Sequence, residues 1–405
     1  MSCISVYKRE YFTSLIPIIS QGIDHLKINK IPLVAAIALI TACSDGSDHK
    51  ITEAPVAPMA DFSAADTRLE DFLAENENFD GVSIVIVDKS LGPIHRAAFG
   101  DHTVDTVVLL ASTSKVPAVS LLMALAEDDD NVDFEIDAPI SDYLPWIGVW
   151  STDITAEHLV SNRSGIPGLS NILLGTYGPH ICQYVPLGTL YQCAQTLYQT
   201  PLPGTISNPP GEAFDYGGSQ WQLSGAVAEI VGGAGWNQLL DQYISEPCDL
   251  EVFRFGNNLS FPTEWDGNPD SLVGLDNPNI EGGAISNLDD YAKILMMHLN
   301  HGACGENQVL SAEAVEFMRI ERTLSQEGEQ GYGMGWWTQP AEEGSSIYLY
   351  TDAGFYGSVS WIDVERNYAG YVALEEYSGS FGGQGSGMVI SELIPLIEEA
   401  IDAVR

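Results

Sequence analysis

The residues with the clearest chemical potential are Ser112 and Lys115, in the stretch LLASTSKVPAVSLLMALAEDDD that runs from Leu109 to Asp130. After the lysine, apolar side chains recur at helical spacing, at Val119, Leu122, Met123 and Ala126. One helical turn brings the lysine amine over the serine hydroxyl. A lysine packed in an apolar wall favours its neutral form, which can accept the serine proton. The stretch therefore predicts a serine nucleophile activated by a lysine base.

The Ser-x-x-Lys spacing is weak evidence by itself, because a second copy occurs in a polar segment, from Ser47 to Lys50. Ser112 differs in standing at a predicted strand-to-helix junction, where its backbone N–H is free at the positive end of the helix dipole. In the alternative interpretation, Ser112 only caps the helix and Lys115 extends into solvent. The stretch alone leaves both interpretations open.

The elements that would position this pair come from both ends of the chain. GVSIVIVDKSLGPIHRAAFG, residues 81–100, is typical of two strands joined by a Gly-Pro turn. Four more strands are predicted between residues 331 and 376, and an amphipathic helix at 387–404, whereas 130–275 carries short helices among Pro, Gly and Trp. We expect an α+β fold in which an antiparallel sheet, formed from both chain ends, is flanked by helices and interrupted by an inserted helical lobe.

Several motifs occur in a recognisable order. They are ASTSK at 111–115, LVSNRSGIPG at 159–168, PPGEAFDYGGSQWQLSGAVAEIVGG at 209–233, EGGAISNLDDYAKILMMHLN at 281–300, GYGMGWW at 331–337 and DAGFYGSVSWIDVERNYAGYVAL at 352–374. Together they resemble the serine β-lactamase and penicillin-binding-protein superfamily, nearest its class C-like esterase and peptidase branch. The resemblance covers about residues 66–402 and implies a β-lactamase/transpeptidase-like fold.

By this resemblance, Ser112 is the acylated nucleophile, Lys115 its activating base and Tyr216 the second acid/base group. Tyr216 would protonate the leaving group and help to direct the deacylating water. The backbone N–H groups of Ser112 and Phe355 would form the oxyanion hole. The chemistry implied is acyl transfer through a serine ester.

Two positions depart from the family pattern. The tyrosine motif is usually Tyr-x-Asn, but here Gly218 replaces the asparagine. The third motif normally begins with a cation, but here Asp352 begins it, followed by Ala353 and Gly354. We expect Asp352, Gly354 and Gly218 to lie against the substrate, with the Asp352 carboxylate repelling a substrate carboxylate. Tyr177 and Tyr184, in the irregular segment 173–193, are further expected substrate contacts.

These residues favour a carboxylesterase that acts on small neutral esters. The alternatives are a D-amino-acid amidase, a D-Ala-D-Ala carboxypeptidase or a β-lactamase and, in a different class, a catalytically decayed lipoprotein that binds cell-wall fragments. An α/β-hydrolase is not indicated, because G-x-S-x-G is absent from the sequence. No metal is expected, since the sequence has no C-x-x-C, H-x-x-x-H or H-E-x-x-H spacing. Catalysis through an acyl-enzyme at Ser112 is expected to need no organic cofactor.

The N-terminal region predicts export. Lys27 and Lys30 precede an apolar run at 31–40 that is too short to span a bilayer, and the run ends in Thr-Ala-Cys at Cys43. This resembles a bacterial lipobox, with Cys43 lipidated and an outer-membrane destination favoured by Ser44. If the lipobox is not used, the protein would be secreted. The predicted organisation is a signal peptide at 1–42, a tether at 43–65 and a hydrolase domain at 66–405. Within that domain, 66–115 and 280–405 form the α/β lobe and 116–279 the helical lobe.

Charge and cysteines restrict the partners and the compartment. The formal charge is −40, from 56 acidic and 16 basic residues, which disfavours nucleic acid and anionic membrane surfaces as partners. We expect a monomer that acts on a small molecule and meets the membrane only through its lipid. After export, Cys182, Cys193, Cys248 and Cys304 remain, and they allow three pairings. We expect Cys182–Cys193 and Cys248–Cys304.

Overall fold

The computed structural model describes residues 59–169, 178–204, 207–258, 265–323, 330–339, 349–376 and 382–405. Its α-helices are α1 (Ser63–Glu75), α2 (Lys115–Ala126), α3 (Ala156–Val160), α4 (Leu190–Gln199), α5 (Ser219–Gly232), α6 (Trp236–Leu240), α7 (Glu246–Cys248), α8 (Leu288–Leu299), α9 (Ala312–Arg319), α10 (Gly382–Met388) and α11 (Ile394–Asp402). Turns of 3₁₀ helix lie at Ala111–Ser114, Ile140–Asp142, Gly178–Tyr184 and Pro269–Ser271, and π-helical turns at Asp241–Ser245 and Val389–Leu393.

The strands are β1 (Gly81–Asp88), β2 (Gly92–Gly100), β3 (Val108–Leu109), β4 (Arg254–Phe255), β5 (Ala284–Ser286), β6 (Ala303–Cys304), β7 (Asn307–Gln308), β8 (Gly331–Tyr332), β9 (Trp337–Gln339), β10 (Leu349–Ala353), β11 (Gly357–Asp363) and β12 (Tyr368–Glu375). Seven of them form an antiparallel sheet in the order β2-β1-β12-β11-β10-β9-β8. β1 from one end of the chain therefore pairs with β12 from the other. The expected α+β fold, with a sheet formed by both chain ends, is confirmed.

Both faces of the sheet are covered, which explains why β1 is buried along its whole length. Alternate side chains of a strand point to opposite faces. Val82, Ile84 and Ile86 pack with α1 and the C-terminal helices, whereas Val85 and Val87 join the larger core that includes the helical lobe. Burial on both faces fixes the register, because a shift by one residue would exchange the two sets of side chains.

A second, three-stranded sheet in the order β3-β5-β4 connects the nucleophile segment to the helical lobe. β4 comes from the predicted helical lobe and β5 from the predicted α/β lobe. β3 ends three residues before Ser112, and β5 begins three residues after Glu281. The Leu110 N–H donates to the Ala284 carbonyl at 2.9 Å. This small sheet therefore holds the Ser112 turn beside the Glu281 loop.

The predicted tether is too long at its C-terminal end. α1 begins at Ser63, and Phe62 and Ala65 are buried in the core, so these residues belong to the folded domain. The predicted signal peptide and Cys43 lie outside the described residues. Among the helices of the described residues, none is both long and apolar enough to cross a membrane.

The structure contains both expected disulfides, Cys182–Cys193 and Cys248–Cys304. The first joins the 3₁₀ turn Gly178–Tyr184 to α4, and the second joins α7 to β6. Cys182–Cys193 therefore restrains the turn that carries Tyr184, whose contact with the site is described below.

Candidate active site

Ser112 lies in a tight turn between β3 and α2. The preceding residue, Ala111, has φ +47°, a left-handed conformation that is uncommon for a residue with a side chain. The 3₁₀ turn Ala111–Ser114 then continues directly into α2, which begins at Lys115. The predicted strand-to-helix junction is confirmed. Such a strained turn at a nucleophile is typical of sites where the geometry matters more than local stability.

The lysine amine is within hydrogen-bonding distance of the serine hydroxyl. Lys115 Nζ lies 2.9 Å from Ser112 Oγ, and the Lys115 side chain is 0 % exposed, while Ser112 is only partly buried. The alternative, in which the lysine extends into solvent, is therefore wrong. The pair has the geometry for proton transfer from a hydroxyl that an outside molecule can reach.

The surroundings of the amine are less apolar than expected. Lys115 Nζ also donates to the backbone carbonyl of Glu281 at 2.8 Å, and Glu281 Oε2 is 4.0 Å away. The faces of the Tyr216 and Trp221 rings lie 4.7 Å and 5.2 Å from the nitrogen. Carbonyl, carboxylate and ring faces all attract positive charge. The site therefore stabilises an ammonium formed when Lys115 takes a proton.

Tyr216 packs beside the amine with its phenol next to the pair. Burial raises the pKa of Tyr216, and the nearby Asp352 adds to the increase, while Lys115 and hydrogen bonding to Ser112 and Lys115 oppose it. The ring stacks on Trp337 with centroids 5.3 Å apart. A phenol held in this way stays protonated at neutral pH, so it is suited to donate a proton to a leaving group.

Asn162 holds the tyrosine segment in place. It lies in the family-like turn at 159–168 with φ +59°, a conformation that asparagine tolerates better than most residues. Its Oδ1 accepts hydrogen bonds from the Gly217 N–H and from Trp221 Nε1, both at 2.8 Å. Its backbone carbonyl accepts from the Asp215 N–H at 2.9 Å. Sequence analysis noted the turn but missed this residue.

The loop after β10 packs against the nucleophile turn at Gly354. A Cβ atom at this position would lie 2.3 Å from the Leu110 carbonyl oxygen and 2.8 Å from Thr113 Oγ1. Only glycine allows this approach. The loop is closed by hydrogen bonds from Gly354 N–H to Ser358 O, 2.7 Å, and from Gly357 N–H to Gly354 O, 3.0 Å. Neither uses the N–H of the intervening Phe355, which remains the candidate for the second oxyanion donor.

Asp352 is placed differently from the expectation. Its carboxyl group is 0 % exposed, and the nearest hydrogen-bond donor to it is the Val116 amide. Burial raises the pKa of Asp352 well above its usual range, and Lys115 and the Val116 amide only partly oppose this. Because neither oxygen is exposed, Asp352 does not present a repelling carboxylate to substrate, so that prediction is wrong.

Three other expected substrate contacts are also buried. Gly354 lies beneath the nucleophile turn, with its amide bonded to Ser358. The Gly218 N–H donates to Glu281 Oε2 at 2.7 Å, and the Tyr184 hydroxyl donates to Glu281 Oε1, also at 2.7 Å. These contacts contradict direct substrate binding by the three residues, because their polar groups are directed into the protein. Tyr177 lies outside the described residues.

The residue that connects these groups is Glu281, which sequence analysis did not single out. It is 3 % exposed and contacts the lysine, the tyrosine loop and the Tyr184 turn. The available signal was weak: an acidic residue immediately before two glycines, within a motif chosen for its order rather than for this side chain.

Comparison with known proteins agrees with this geometry. The family model "Beta-lactamase" matches residues 66–381, so the chain belongs to the Beta-lactamase family, whose members are serine hydrolases. Penicillin-binding protein 4 of Amycolatopsis lactamdurans is 24 % identical over 272 residues, which is 62 % of this chain and 67 % of that protein.

Two solved structures share the fold. EstCE1, a hydrolase with promiscuous acyltransferase activity, has a TM-score of 0.65 at 18 % identity and covers 84 % of this chain and 98 % of its own. The D-amino acid amidase from Ochrobactrum anthropi SV3 has a TM-score of 0.61 at 17 % identity, covering 84 % of this chain and 99 % of its own. The expected β-lactamase/transpeptidase-like fold is confirmed.

Proposed function

We propose that the protein is a carboxylesterase that hydrolyses small neutral esters through an acyl-enzyme at Ser112. Ser112 Oγ attacks the ester carbonyl while Lys115 Nζ takes the hydroxyl proton. The negative charge that develops on the carbonyl oxygen is stabilised by the N–H groups of Ser112 and Phe355. The Tyr216 phenol protonates the departing alkoxide, which leaves as the alcohol, and the Lys115 ammonium returns a proton to the Tyr216 phenolate. Water then attacks the serine ester while Lys115 takes its proton. That proton passes to Ser112 Oγ as the carboxylic acid is released.

The observation that carries this proposal is the nature of Asp352. In β-lactamases and D-Ala peptidases of the family, a cation at this position is thought to hold the substrate carboxylate. Here the side chain is an acid and is fully buried, so it supplies neither a positive charge nor an exposed group. The described groups around Ser112, Lys115 and Tyr216 are backbone groups, aromatic rings and the carboxyl groups of Glu281 and Asp352. Such surroundings favour a neutral substrate over an anionic one.

Exposed aromatic side chains support an apolar substituent on the ester. Phe355 is 58 % exposed beside the proposed oxyanion donor. Phe214 is also exposed, and its ring contacts those of Tyr216, Tyr332 and Trp337 with centroids 5.4–6.3 Å apart. Aromatic faces of this kind bind apolar acyl or alcohol groups through buried area and ring contacts.

The second candidate is an amidase for substrates that carry an amine, such as D-amino-acid amides. The observation in its favour is the Glu281 carboxyl group, whose Oε2 lies 4.0 Å from Lys115 Nζ. A decayed wall-binding protein is disfavoured, because a binding protein has no need of a buried amine hydrogen-bonded to a partly exposed serine.

A substrate panel on the purified protein tests the proposal. p-Nitrophenyl esters of short acids are compared with D-aminoacyl p-nitroanilides and with nitrocefin, using Ser112→Ala as the control for each substrate. We expect ester hydrolysis that depends on Ser112 and exceeds the other two activities. Anilide hydrolysis exceeding ester hydrolysis would instead establish the amidase, and nitrocefin turnover at the ester rate would contradict the role given to Asp352. If a fluorophosphonate probe fails to label the folded protein, the result would contradict the enzyme and favour the decayed wall-binding protein.

We also propose that the enzyme works outside the cytoplasm, anchored to the envelope through lipid on Cys43 and otherwise monomeric. Support comes from the sequence of residues 27–44 and from the two disulfides, which persist in oxidising compartments. Labelled palmitate incorporated into the wild type but not into Cys43→Ala is the expected result, and equal labelling of both would exclude lipidation at this cysteine.

A further inference from the structure

The two glycines after Tyr216 leave a space that a carboxylate fills. Gly217 and Gly218 have φ +74° and +84°, conformations that suit glycine. A Cβ atom on Gly217 would lie 2.6 Å from Glu281 Oε2, and the Gly218 N–H donates to that same oxygen. Glu281 Oε2 therefore lies directly against the backbone of both glycines.

Glu281 is fixed by contacts on both carboxylate oxygens. Oε1 accepts from the Tyr184 hydroxyl and Oε2 from the Gly218 amide, each at 2.7 Å. A group that accepts hydrogen bonds on both oxygens is arranged as a carboxylate. Its backbone carbonyl, meanwhile, receives the hydrogen bond from Lys115 Nζ at 2.8 Å. One residue therefore contacts the amine with its main chain and places a charge 4.0 Å from it with its side chain.

We infer that Glu281 is the positioning residue and counter-charge of Lys115. This inference rests on the proposed function of the Ser112–Lys115 pair. When Ser112 gives its proton to the amine, a positive charge appears inside the protein, where an unpaired charge is unfavourable. The Glu281 carboxylate stabilises that charge and keeps Nζ directed at Ser112. It does not contact the serine itself.

Other titratable groups near the amine differ in what they supply. They are Tyr216 from the loop before α5 and Asp352 from β10, with Tyr332 from β8 behind the Tyr216 ring. Burial raises the pKa of all three, so each favours its neutral form. Glu281 differs from them because both of its carboxyl oxygens accept hydrogen bonds. We therefore assign Glu281 as the counter-ion of the amine.

The test measures the rate at which a fluorophosphonate probe labels Ser112 between pH 5 and pH 10, in the full-length protein. For Glu281→Gln we expect labelling at the plateau to be about tenfold slower. The rising limb of the pH profile should also move to lower pH, because the Glu281 carboxylate no longer attracts the positive charge on the amine. Tyr184→Phe keeps the Glu281 carboxyl group but removes the hydrogen bond to its Oε1. Labelling of this variant should slow by about two- to fivefold, and the rising limb of its pH profile should stay in place.

The matched control is Glu229→Gln, another largely buried glutamate, which accepts from the Trp236 N–H near the far end of α5. It should label at the wild-type rate with an unchanged pH profile. Wild-type rate and profile in Glu281→Gln, with only a lower melting temperature, would overturn the inference. If Glu281→Gln does not fold, an unchanged labelling rate in Tyr184→Phe overturns it instead. A wild type that labels at Ser112 but hydrolyses no ester contradicts the proposed function and leaves this test intact.

Discussion

Lys115 Nζ and Ser112 Oγ lie 2.9 Å apart, and the lysine reaches this position with no part of its side chain in solvent. Replacing Lys115 by Met keeps a flexible side chain of similar length and removes the amine. We expect fluorophosphonate labelling and ester hydrolysis to fall by about 10²–10⁴, the usual contribution of a general base. Removing one partner of a buried pair leaves the Glu281 carboxyl group without its counter-charge, so the melting temperature should also fall, and the rates are compared at a temperature where both proteins are folded. A variant that labels at the wild-type rate would show that Lys115 is not the base.

The phenol of Tyr216 should donate its proton over the whole neutral and mildly basic range. Because burial raises its pKa above the ordinary value of 10.0, the donor form is lost only above that pH. Below about pH 10, ionisation of Tyr216 should therefore cause no decrease in kcat/KM. Tyr216→Phe should lower kcat by about 10²–10⁴ with little change in folding. A wild-type basic limb well below pH 10 that disappears in Tyr216→Phe would contradict this assignment.

Asp352 should make the protein less stable as the pH rises. Its pKa is raised in the folded state, so the folded protein holds a proton that the unfolded chain releases from about pH 4 upward. The stability linked to that proton is present below the unfolded pKa and is lost as the pH rises towards the folded value. Asp352→Asn, which is neutral at every pH, should therefore match the wild type near pH 4 and exceed its unfolding free energy by about 1 kcal/mol or more at pH 8. Urea unfolding at the two pH values measures the difference.

The control for this measurement is Asp402→Asn, at an exposed position where hydrogen bonding to Arg366 lowers the pKa. Its effect has the opposite sign, since an acid with a lowered pKa stabilises the fold at neutral pH and loses this effect in acid. If the unfolding free energy of Asp352→Asn at pH 8 is equal to or lower than that of the wild type, the raised pKa of Asp352 is contradicted.

Gly354→Ala should push the loop after β10, which carries Phe355, away from the turn that carries Ser112. The new methyl group would meet the Leu110 carbonyl oxygen at 2.3 Å, and backbone cannot easily move away. We expect a loss of about 1–3 kcal/mol in stability, as for other overpacked sites, together with slower labelling of Ser112. Gly383→Ala is the matched control, because it lies in α10 with nothing within 4 Å of its added Cβ. Equal behaviour of the two variants would exclude the close packing at Gly354.

The sequence was sufficient to predict most strands of the main sheet, because they are short apolar runs between turn residues and lie in two regions far apart in the chain. It also predicted Ser112 and Lys115 as a pair, because two residues three positions apart in a helix are neighbours on its surface. Tyr216 came from the order of motifs, and its place against Lys115 agrees with that order.

The other half of the site depends on contacts that local pattern does not encode. Glu281 and Lys115 are 166 residues apart in sequence, and Tyr184 and Glu281 are 97 apart. The direction of Asp352 depends on which face of β10 is turned inward, which is fixed by its register opposite Ser360 in β11. Because none of these pairings leaves a periodic signal, the expected substrate contacts were assigned to residues that face the interior.

The position of β12 between β1 and β11 has a consequence for biosynthesis. The ribosome makes this central strand long after Ser112 and Lys115. Only when Tyr368–Glu375 is inserted does the sheet join the β1–β2 hairpin to the β10–β11 pair that flanks Phe355. Chains cut before Tyr368 should therefore be unable to form a serine ester, although they contain Ser112, Lys115 and Tyr216.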